Sequence, residues 1–217
     1  MDRHVEQRAR STAAKLARKD SIIAAAETLL RRSDYHAVTM QSVATEVGLA
    51  KGTLYLYFSS REILILEVYG RLFDQWIDRF ASHVSGETEV EEFCRDFYHY
   101  YADDRLFLQL TGSAISLMES QLDRDTFVQG KRAMASRVKK LAGTAYQRLG
   151  MNPILAQRFV WGLLTIAAGA IQMTMRPPVA SNNLPKDVIA FVGSASFETV
   201  FLNASVPLCA GLMQDDT

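Results

Sequence analysis

Apolar residues recur along this chain at steps of three and four positions, the spacing of one face of an α-helix. No window alternates between apolar and polar residues with β-branched enrichment, so strands are not predicted. The pattern therefore predicts an all-α fold of about nine or ten helices. The clearest apolar stripes are Ile22, Ala25, Ala26, Leu29 and Leu30; Leu64, Val68, Leu72, Trp76 and Phe80; and Val138, Leu141, Ala145 and Leu149.

Prolines are confined to the last third of the chain. All five lie at Pro153 or later, so the strongest helix breaker is missing from everything before that residue. Pro177 and Pro178 separate two apolar stretches, residues 154–175 and 187–203. We expect these stretches to fold back on each other as a helical hairpin.

Neither a secretory signal nor a membrane span is predicted. The first 20 residues contain no apolar signal core. Residues 159–175 are free of charge over 17 positions, the short limit for crossing a bilayer, but glycine, threonine and glutamine interrupt them. We therefore expect a buried core or interface helix here, and a soluble cytoplasmic protein that does not associate with membranes.

Two short amphipathic helices are predicted between residues 39 and 58. Thr39 can cap the first by accepting a backbone N–H bond, and Gly48 can end it in the left-handed conformation. The second begins near Lys51 and has apolar anchors at Leu54 and Phe58, four positions apart. Two short helices around a tight glycine turn form a helix-turn-helix. The apolar face of the first helix consists of Val43, Ala44 and Val47.

The second of these helices carries side chains suited to DNA. The N-terminal part of such a helix enters the major groove. Lys51 can contact guanine or phosphate, and Thr53 can bond to a base edge or pack on a thymine methyl. Gly52 leaves room where the helix approaches the groove floor. The hydroxyls of Tyr55 and Tyr57 can reach phosphate oxygens, which fixes register without distinguishing base sequence.

A longer helix follows, from about Ser60 to Val84. Its cap is either Ser59, in a capping box with Glu62, or Ser60. Arg61, at its start, is a further candidate for a phosphate contact.

The string T-x3-V-A-x3-G-x3-G-T-L-Y-x-Y-F-x2-R-E-x-L, from Thr39 to Leu64, resembles the DNA-binding module of the TetR (tetracycline repressor) family. The resemblance runs from about Ile22 to Val68. It implies a three-helix DNA-binding domain in residues 1–66 and a helical domain in residues 67–217 that dimerises and holds a small-molecule pocket. The DNA contacts it implies are Thr39, Gln41, Lys51, Gly52, Thr53, Tyr55, Leu56, Tyr57 and Arg61.

Two positions depart from the pattern of that family. Ala50 stands where Ser or Thr often caps the recognition helix, and a lost cap costs about 1 kcal/mol. Val47 replaces a small residue before the glycine, which implies a bulkier local core.

The formal net charge is zero, with 24 Lys+Arg and 24 Asp+Glu, which excludes a uniformly basic coat protein. Residues 1–64 nevertheless carry +3 and the remainder −3. Residues 1–19 hold six basic side chains and two acidic ones. This basic segment is either a fraying tail or an arm that reaches phosphate or the minor groove.

Aromatic residues are concentrated in residues 65–110, which hold 10 of the 21 in the chain. Their helical spacing fits either packing between two helices or a pocket for an apolar or planar ligand. Candidate pocket residues are Phe73, Trp76, Phe80, Phe97, Tyr101, Leu110, Met118, Trp161, Thr165 and Met173. Candidate residues of a dimer interface are Gly162, Ala170, Phe191, Ala195, Phe197 and Phe201.

No catalytic, metal or cofactor site is predicted. Cys94 and Cys209 lack metal-site spacing, and we expect two buried thiols. His83 and His99 have no partner at ligand spacing, and phosphate-binding and dinucleotide fingerprints are missing. Together with these absences, the family resemblance implies a dimeric repressor that leaves an approximately palindromic operator when an apolar or aromatic ligand binds. An all-α enzyme using acids such as Glu119, Asp123 and Asp125, or a protein-interaction adaptor, are the alternatives.

Overall fold

The computed structural model describes residues 3–33, 35–83, 86–120, 122–174 and 185–214. These ranges contain ten α-helices, one 3₁₀ turn at Tyr35–Ala37 and no strand, which confirms the predicted all-α class. The helices are α1 (Arg3–Arg32), α2 (Met40–Glu46), α3 (Lys51–Leu54), α4 (Arg61–His83), α5 (Val90–Ala102), α6 (Arg105–Ser120), α7 (Arg124–Leu149), α8 (Pro153–Thr174), α9 (Lys186–Gly193) and α10 (Phe197–Gln214).

The chain forms two compact units, residues 1–72 and residues 73–217, called the head and the body below. Helices α1, α2 and α3 belong to the head, and α4 contributes residues to both units. Most members of the apolar stripes in the head are buried, whereas Ala25 and Leu29 are half-buried. The buried core of the head includes Ile22, Ala26, Leu30, Val38, Val43, Ala44, Leu54, Phe58, Leu64 and Val68.

The body is organised around α8, which packs against α6, α7 and α10, while α10 also packs against α5. The Asp74 and Asp78 carboxylates of α4 bind Arg137 and Lys140 of α7. Helix α8 is the one described helix long and apolar enough to cross a membrane by length and composition. Half of its apolar window is buried against the rest of the body, as expected for a core helix.

The end of the chain differs from a simple hairpin. The stretch 187–203 is broken at residues 194–196, which separate α9 from α10. Helix α10 continues through Pro207 to Gln214. Where α8 meets α10, a methyl group added to Gly162 would lie 2.3 Å from Leu208 Cδ2. Glycine at this position therefore lets the side chain of Leu208 approach the α8 backbone.

Candidate nucleic-acid interface

Helix α2 begins at a reciprocal cap formed by two small hydroxyl residues. The backbone N–H of Ser42 donates to Thr39 Oγ1 at 3.1 Å, and the backbone N–H of Thr39 donates to Ser42 Oγ at 2.9 Å. The cap on Thr39 is the one that the sequence predicts. Ser42 was not predicted as part of this cap, although its position three residues after Thr39 is the signal for such a box. Thr39 and Gln41 remain exposed at this helix start.

The turn between α2 and α3 depends on Gly48, whose φ is +66°. This is the left-handed conformation that favours glycine at a helix end, as the sequence predicts. The backbone N–H of Leu49 donates to Ala44 O at 2.9 Å and closes the turn. Helix α3 starts after Ala50 without a side-chain cap. The expected loss of that cap is therefore confirmed.

The short helix α3 and the turn after it are anchored from behind by Leu54 and Phe58, which are 0% and 1% exposed. The opposite side is open to solvent, with Tyr55 at 46% and Leu56 at 77%. A methyl group added to Gly52 would meet no atom within 4 Å. The other predicted contacts of this segment are exposed Lys51 and half-buried Thr53 and Tyr57. Hydroxyl, ammonium and apolar groups thus share one surface, and these are the kinds of group that contact base edges and phosphates.

Arg61 occupies a different environment from the predicted phosphate contact. Its Nε donates to the carbonyl of Val38 and its Nη2 to the carbonyl of Tyr35. The guanidinium also lies near the carboxylate of Glu62, with Nη1 3.5 Å from Oε1. Because these donors bond to carbonyls of the segment that precedes α2, the Arg61 side chain holds the start of α4 against that segment. The cap of α4 is Ser60, whose Oγ accepts the N–H of Ile63 at 3.2 Å.

The predicted pocket residues of α4 to α6 form a packed cluster. The Trp76 ring centre lies 5.0 Å from that of Phe97 and 5.1 Å from that of Tyr101. No more than 1% of any of these rings, or of Leu110, is exposed. In this structure the helical spacing of the aromatic residues therefore reflects packing between helices. Phe73 and Phe80 stack on the same indole.

The α8 residues predicted to line the far side of that pocket are exposed to solvent instead. Trp161, Thr165 and Met173 lie on the exposed side of α8, with Trp161 47% and Met173 76% exposed. The side chain of Met118 lies outside the described residues. A surface cleft of about 400 Å³ is found elsewhere, lined in part by Glu87, Glu92 and Arg148.

Three residues predicted for a dimer interface are instead internal to the body. Ala170 and Phe201 are 3% and 0% exposed, and Gly162 faces Leu208 of its own chain. Small residues on α8 thus serve packing within one chain. Phe197 is half-buried against Tyr98 and Phe201, Ala195 is half-buried in the loop before α10, and the side chain of Phe191 lies outside the described residues.

The two cysteines are buried thiols, as expected. Cys94 on α5 forms a side-chain hydrogen bond with Ser205, one turn before Cys209 on α10. Burial raises the pKa of the Cys94 thiol to about 11. Burial, reinforced by the charge that Cys94 would carry, raises the pKa of Cys209 to about 12. Both thiols are therefore protonated at neutral pH. Among the described residues, no cluster of three His, Cys, Asp or Glu side chains could hold a metal ion.

Known proteins resemble this chain in both the head and the body. The chain is 28% identical over 71 residues to the fatty acid metabolism regulator protein of Bacillus subtilis (strain 168), a match that covers 33% of this chain and 37% of that protein. The matched segment thus spans less than two fifths of that curated relative.

Solved structures share the fold. The multidrug binding protein EbrR, complexed with imidazole, superposes with a TM-score of 0.55 at 14% identity, covering 90% of this chain and 94% of that one. The transcriptional regulator FadR from Bacillus subtilis, in complex with stearoyl-CoA, gives 0.51 at 16% identity, covering 87% and 96%.

Two family models divide the sequence between them. The model of bacterial regulatory proteins of the tetR family matches residues 22–68. The model of the tetracyclin repressor-like C-terminal domain matches residues 70–214. Together with the geometry of α2 and α3, these matches show that the chain belongs to the tetR family of bacterial regulatory proteins.

Proposed function

We propose that this chain is a sequence-specific DNA-binding transcriptional repressor and not an enzyme. The observation that carries the proposal is the outer surface of α3 and its following turn. Lys51, Gly52, Tyr55 and Leu56 face solvent there, while Leu54 and Phe58 fix the helix to the head core. A short helix held rigidly and presented by its N-terminal half matches how recognition helices enter the major groove.

The repressor acts as a two-fold homodimer on an approximately palindromic operator in the cytoplasm. Support comes from α8, where Ile154, Trp161 and Met173 are 75%, 47% and 76% exposed along one helix. Large apolar side chains left exposed in this way are typical of an interface with another copy. A two-fold pair presents two recognition helices, which favours an operator with repeated half-sites.

A small apolar or aromatic effector releases the repressor by binding within the aromatic cluster of the body. Trp76 is fully buried, and its Nε1–H has no acceptor among the described residues. A buried donor without a partner costs about 1–3 kcal/mol, so a ligand that supplies an acceptor oxygen or nitrogen is favoured there. The cluster is closed in this state. The effector must therefore bind a minor, opened state more tightly and shift the population towards it.

Selection of bound fragments from a random DNA pool tests the DNA-binding proposal. Full-length protein should enrich one sequence with two symmetric half-sites. A variant that carries Lys51→Ala and Tyr55→Phe should dimerise normally and enrich nothing. Failure of the wild-type protein to enrich any sequence would reject DNA recognition and favour a protein-interaction role.

The effector is tested separately with the selected duplex. The two probes are stearoyl-CoA and imidazole, the molecules bound by the structural neighbours, each titrated into the protein–DNA complex. A probe that binds in the cluster should weaken DNA binding, and Trp76→Phe should reduce its affinity because the indole N–H is lost. Release of DNA that is identical in the Trp76→Phe variant would place the effector elsewhere.

A further inference from the structure

Helix α1 extends well beyond the part of the head that it helps to build. From residue 12 onwards, the first fully buried residue of α1 is Ile22, and the family match also begins at that residue. Residues 12–18 are exposed without exception, including Leu16 at 58%. Residues 3–21 of this helix, called the extension below, span about 28 Å at 1.5 Å per residue. Residues 12–21 therefore contribute little to the core of the head.

Two ion pairs show towards which end of the head the extension points. Lys19 Nζ lies 2.6 Å from Glu67 Oε1, and Glu27 Oε2 lies 3.7 Å from Arg71 Nε. The residue that is later in α1, Glu27, pairs with the residue that is later in α4, Arg71. The two helices therefore run in the same general direction. Moving from Lys19 towards the start of α1 therefore corresponds to moving from Glu67 towards the start of α4.

The start of α4 is also the end of the head where α3 lies. Helix α4 begins at Arg61, three residues after Phe58, and the Lys19 ammonium lies 5.7 Å from the centre of the Phe58 ring. From Lys19, α1 continues for about 24 Å, whereas α4 continues from Glu67 for only about 9 Å, at 1.5 Å per residue. The extension therefore reaches past the start of α4, on the side of the proposed DNA-binding surface.

The charge of the extension fits a polyanion. The extension contains six Lys or Arg side chains and two acidic side chains, Glu6 and Asp20. Lys15 and Arg18 are exposed, and Lys15 lies one helical turn before Lys19 on the same side of α1. The described side chains of the extension include one large apolar residue, Leu16, so they lack the large apolar face with which interfacial helices enter a membrane.

We propose that the extension is a second DNA-binding element, which contacts the phosphates of duplex DNA beside the operator. The inference rests on the proposed function. Its ligand is the sugar–phosphate backbone, because Lys and Arg on a regular helix neutralise phosphates without distinguishing bases. It adds affinity and salt dependence to the base contacts of α3.

The test varies the protein and the length of the DNA together. The double variant Lys15→Gln, Arg18→Gln is compared with wild type on two forms of the selected duplex. One duplex is trimmed to the operator, and the other carries flanks of about 10 base pairs on each side. At 3.4 Å per base pair, each flank is longer than the extension. Arg132→Gln with Lys139→Gln, two exposed charges on α7, is the matched control. Binding constants are measured over a range of salt concentrations.

We expect the extension variant to lose affinity on the flanked duplex alone. The salt slope there should fall in magnitude by about 0.9 for each phosphate contact removed. Both proteins should bind the trimmed duplex equally, and the α7 control should resemble wild type on both. Equal losses on both duplexes, equal losses in the α7 control or no loss at all would overturn the inference. Failure of wild type to bind the trimmed duplex would instead reject the proposed function.

Discussion

The guanidinium carbon of Arg61 lies 4.4 Å from the centre of the Tyr35 ring. Arg61 is the first residue of α4, and Tyr35 begins the 3₁₀ turn that precedes α2. The same guanidinium donates to the carbonyls of Tyr35 and Val38. One side chain thus sets the position of α2 relative to α4 within the head.

Replacing Arg61 by lysine should destabilise the head, while the contacts between the head and DNA phosphates should stay unchanged. The lysine keeps the charge but cannot hold both carbonyls, so the free energy of unfolding should fall by about 2 kcal/mol. Chemical denaturation measures the loss, and Arg95→Lys on the exposed surface of α5 is the control. Unchanged stability of Arg61→Lys, together with a shallower salt slope of DNA binding in Arg61→Gln, would instead make Arg61 a phosphate ligand.

Gly52→Ala should separate folding from DNA binding. No atom lies within 4 Å of the added methyl group in the free protein, so the helix should gain up to about 1 kcal/mol of stability. Operator affinity should fall at least tenfold if the helix lies flush with the groove floor. Gly143→Ala on α7, also without a neighbour within 4 Å, should stabilise the protein without changing DNA binding. An operator affinity unchanged by Gly52→Ala would contradict close approach at this position.

Local rules predicted the head well and the body less completely. Thr39, Gly48, Leu54 and Phe58 were identified correctly because caps, positive φ and apolar spacing act over a few residues. The bonds of Arg61 to the carbonyls of Val38 and Tyr35 were not predicted, because these partners lie 23 and 26 positions away and no local pattern encodes that distance.

The sequence also did not predict which residues of α8 face the interior of the body and which face solvent. The sequence shows that glycine and alanine allow a close approach, but it does not show whether the neighbour belongs to the same chain. Gly162 faces Leu208 inside the body, whereas Trp161, one position earlier, faces solvent.

Gly162→Ala should be less stable than Gly169→Ala because of a single contact. The added methyl group would lie 2.3 Å from Leu208 Cδ2, so this flexible side chain must turn away, which offsets part of the gain of about 1 kcal/mol that alanine brings to a helix. Leu208→Ala in the same chain should recover part of that difference, a coupling that a double-mutant cycle measures. Gly169→Ala on the same helix meets no atom within 4 Å and should be tolerated. Strictly additive effects at Gly162 and Leu208 would contradict the contact.

Trp161→Glu should weaken the proposed dimer without unfolding the protomer. The side chain is 47% exposed, so the change places a charge on the surface rather than in the core. Sedimentation at several protein concentrations should show dissociation, with the secondary structure retained. Tyr146→Glu, at a 50% exposed position on α7, should leave the oligomeric state unchanged. An intact dimer in the Trp161 variant would move the interface to another surface.

The buried thiols predict a loss of stability at alkaline pH. The folded state holds the protons of Cys94 and Cys209 up to pKa values of about 11 and about 12, whereas the unfolded chain releases them near 9. Raised pKa values stabilise the folded state below pH 9, and this stabilisation is lost as pH rises through the folded values.

A variant with alanine at both Cys94 and Cys209 should show a shallower decline of unfolding free energy above pH 9. In the native wild type at pH 8, an aromatic disulfide reagent should react slowly with either thiol, and rapidly after denaturation. Fast reaction of the native protein would show that the thiols are accessible.

The division of charge between the ends of the chain has a consequence for handling the purified protein. The chain carries no net charge at pH 7, yet residues 1–64 are positive and the remainder is negative. Without overall repulsion, separate molecules attract one another through these opposite ends, and colloidal stability is lowest near the isoelectric point of 6.9. We expect turbidity at low ionic strength that clears with added salt. Short duplex DNA should clear it too, because DNA competes for the basic end.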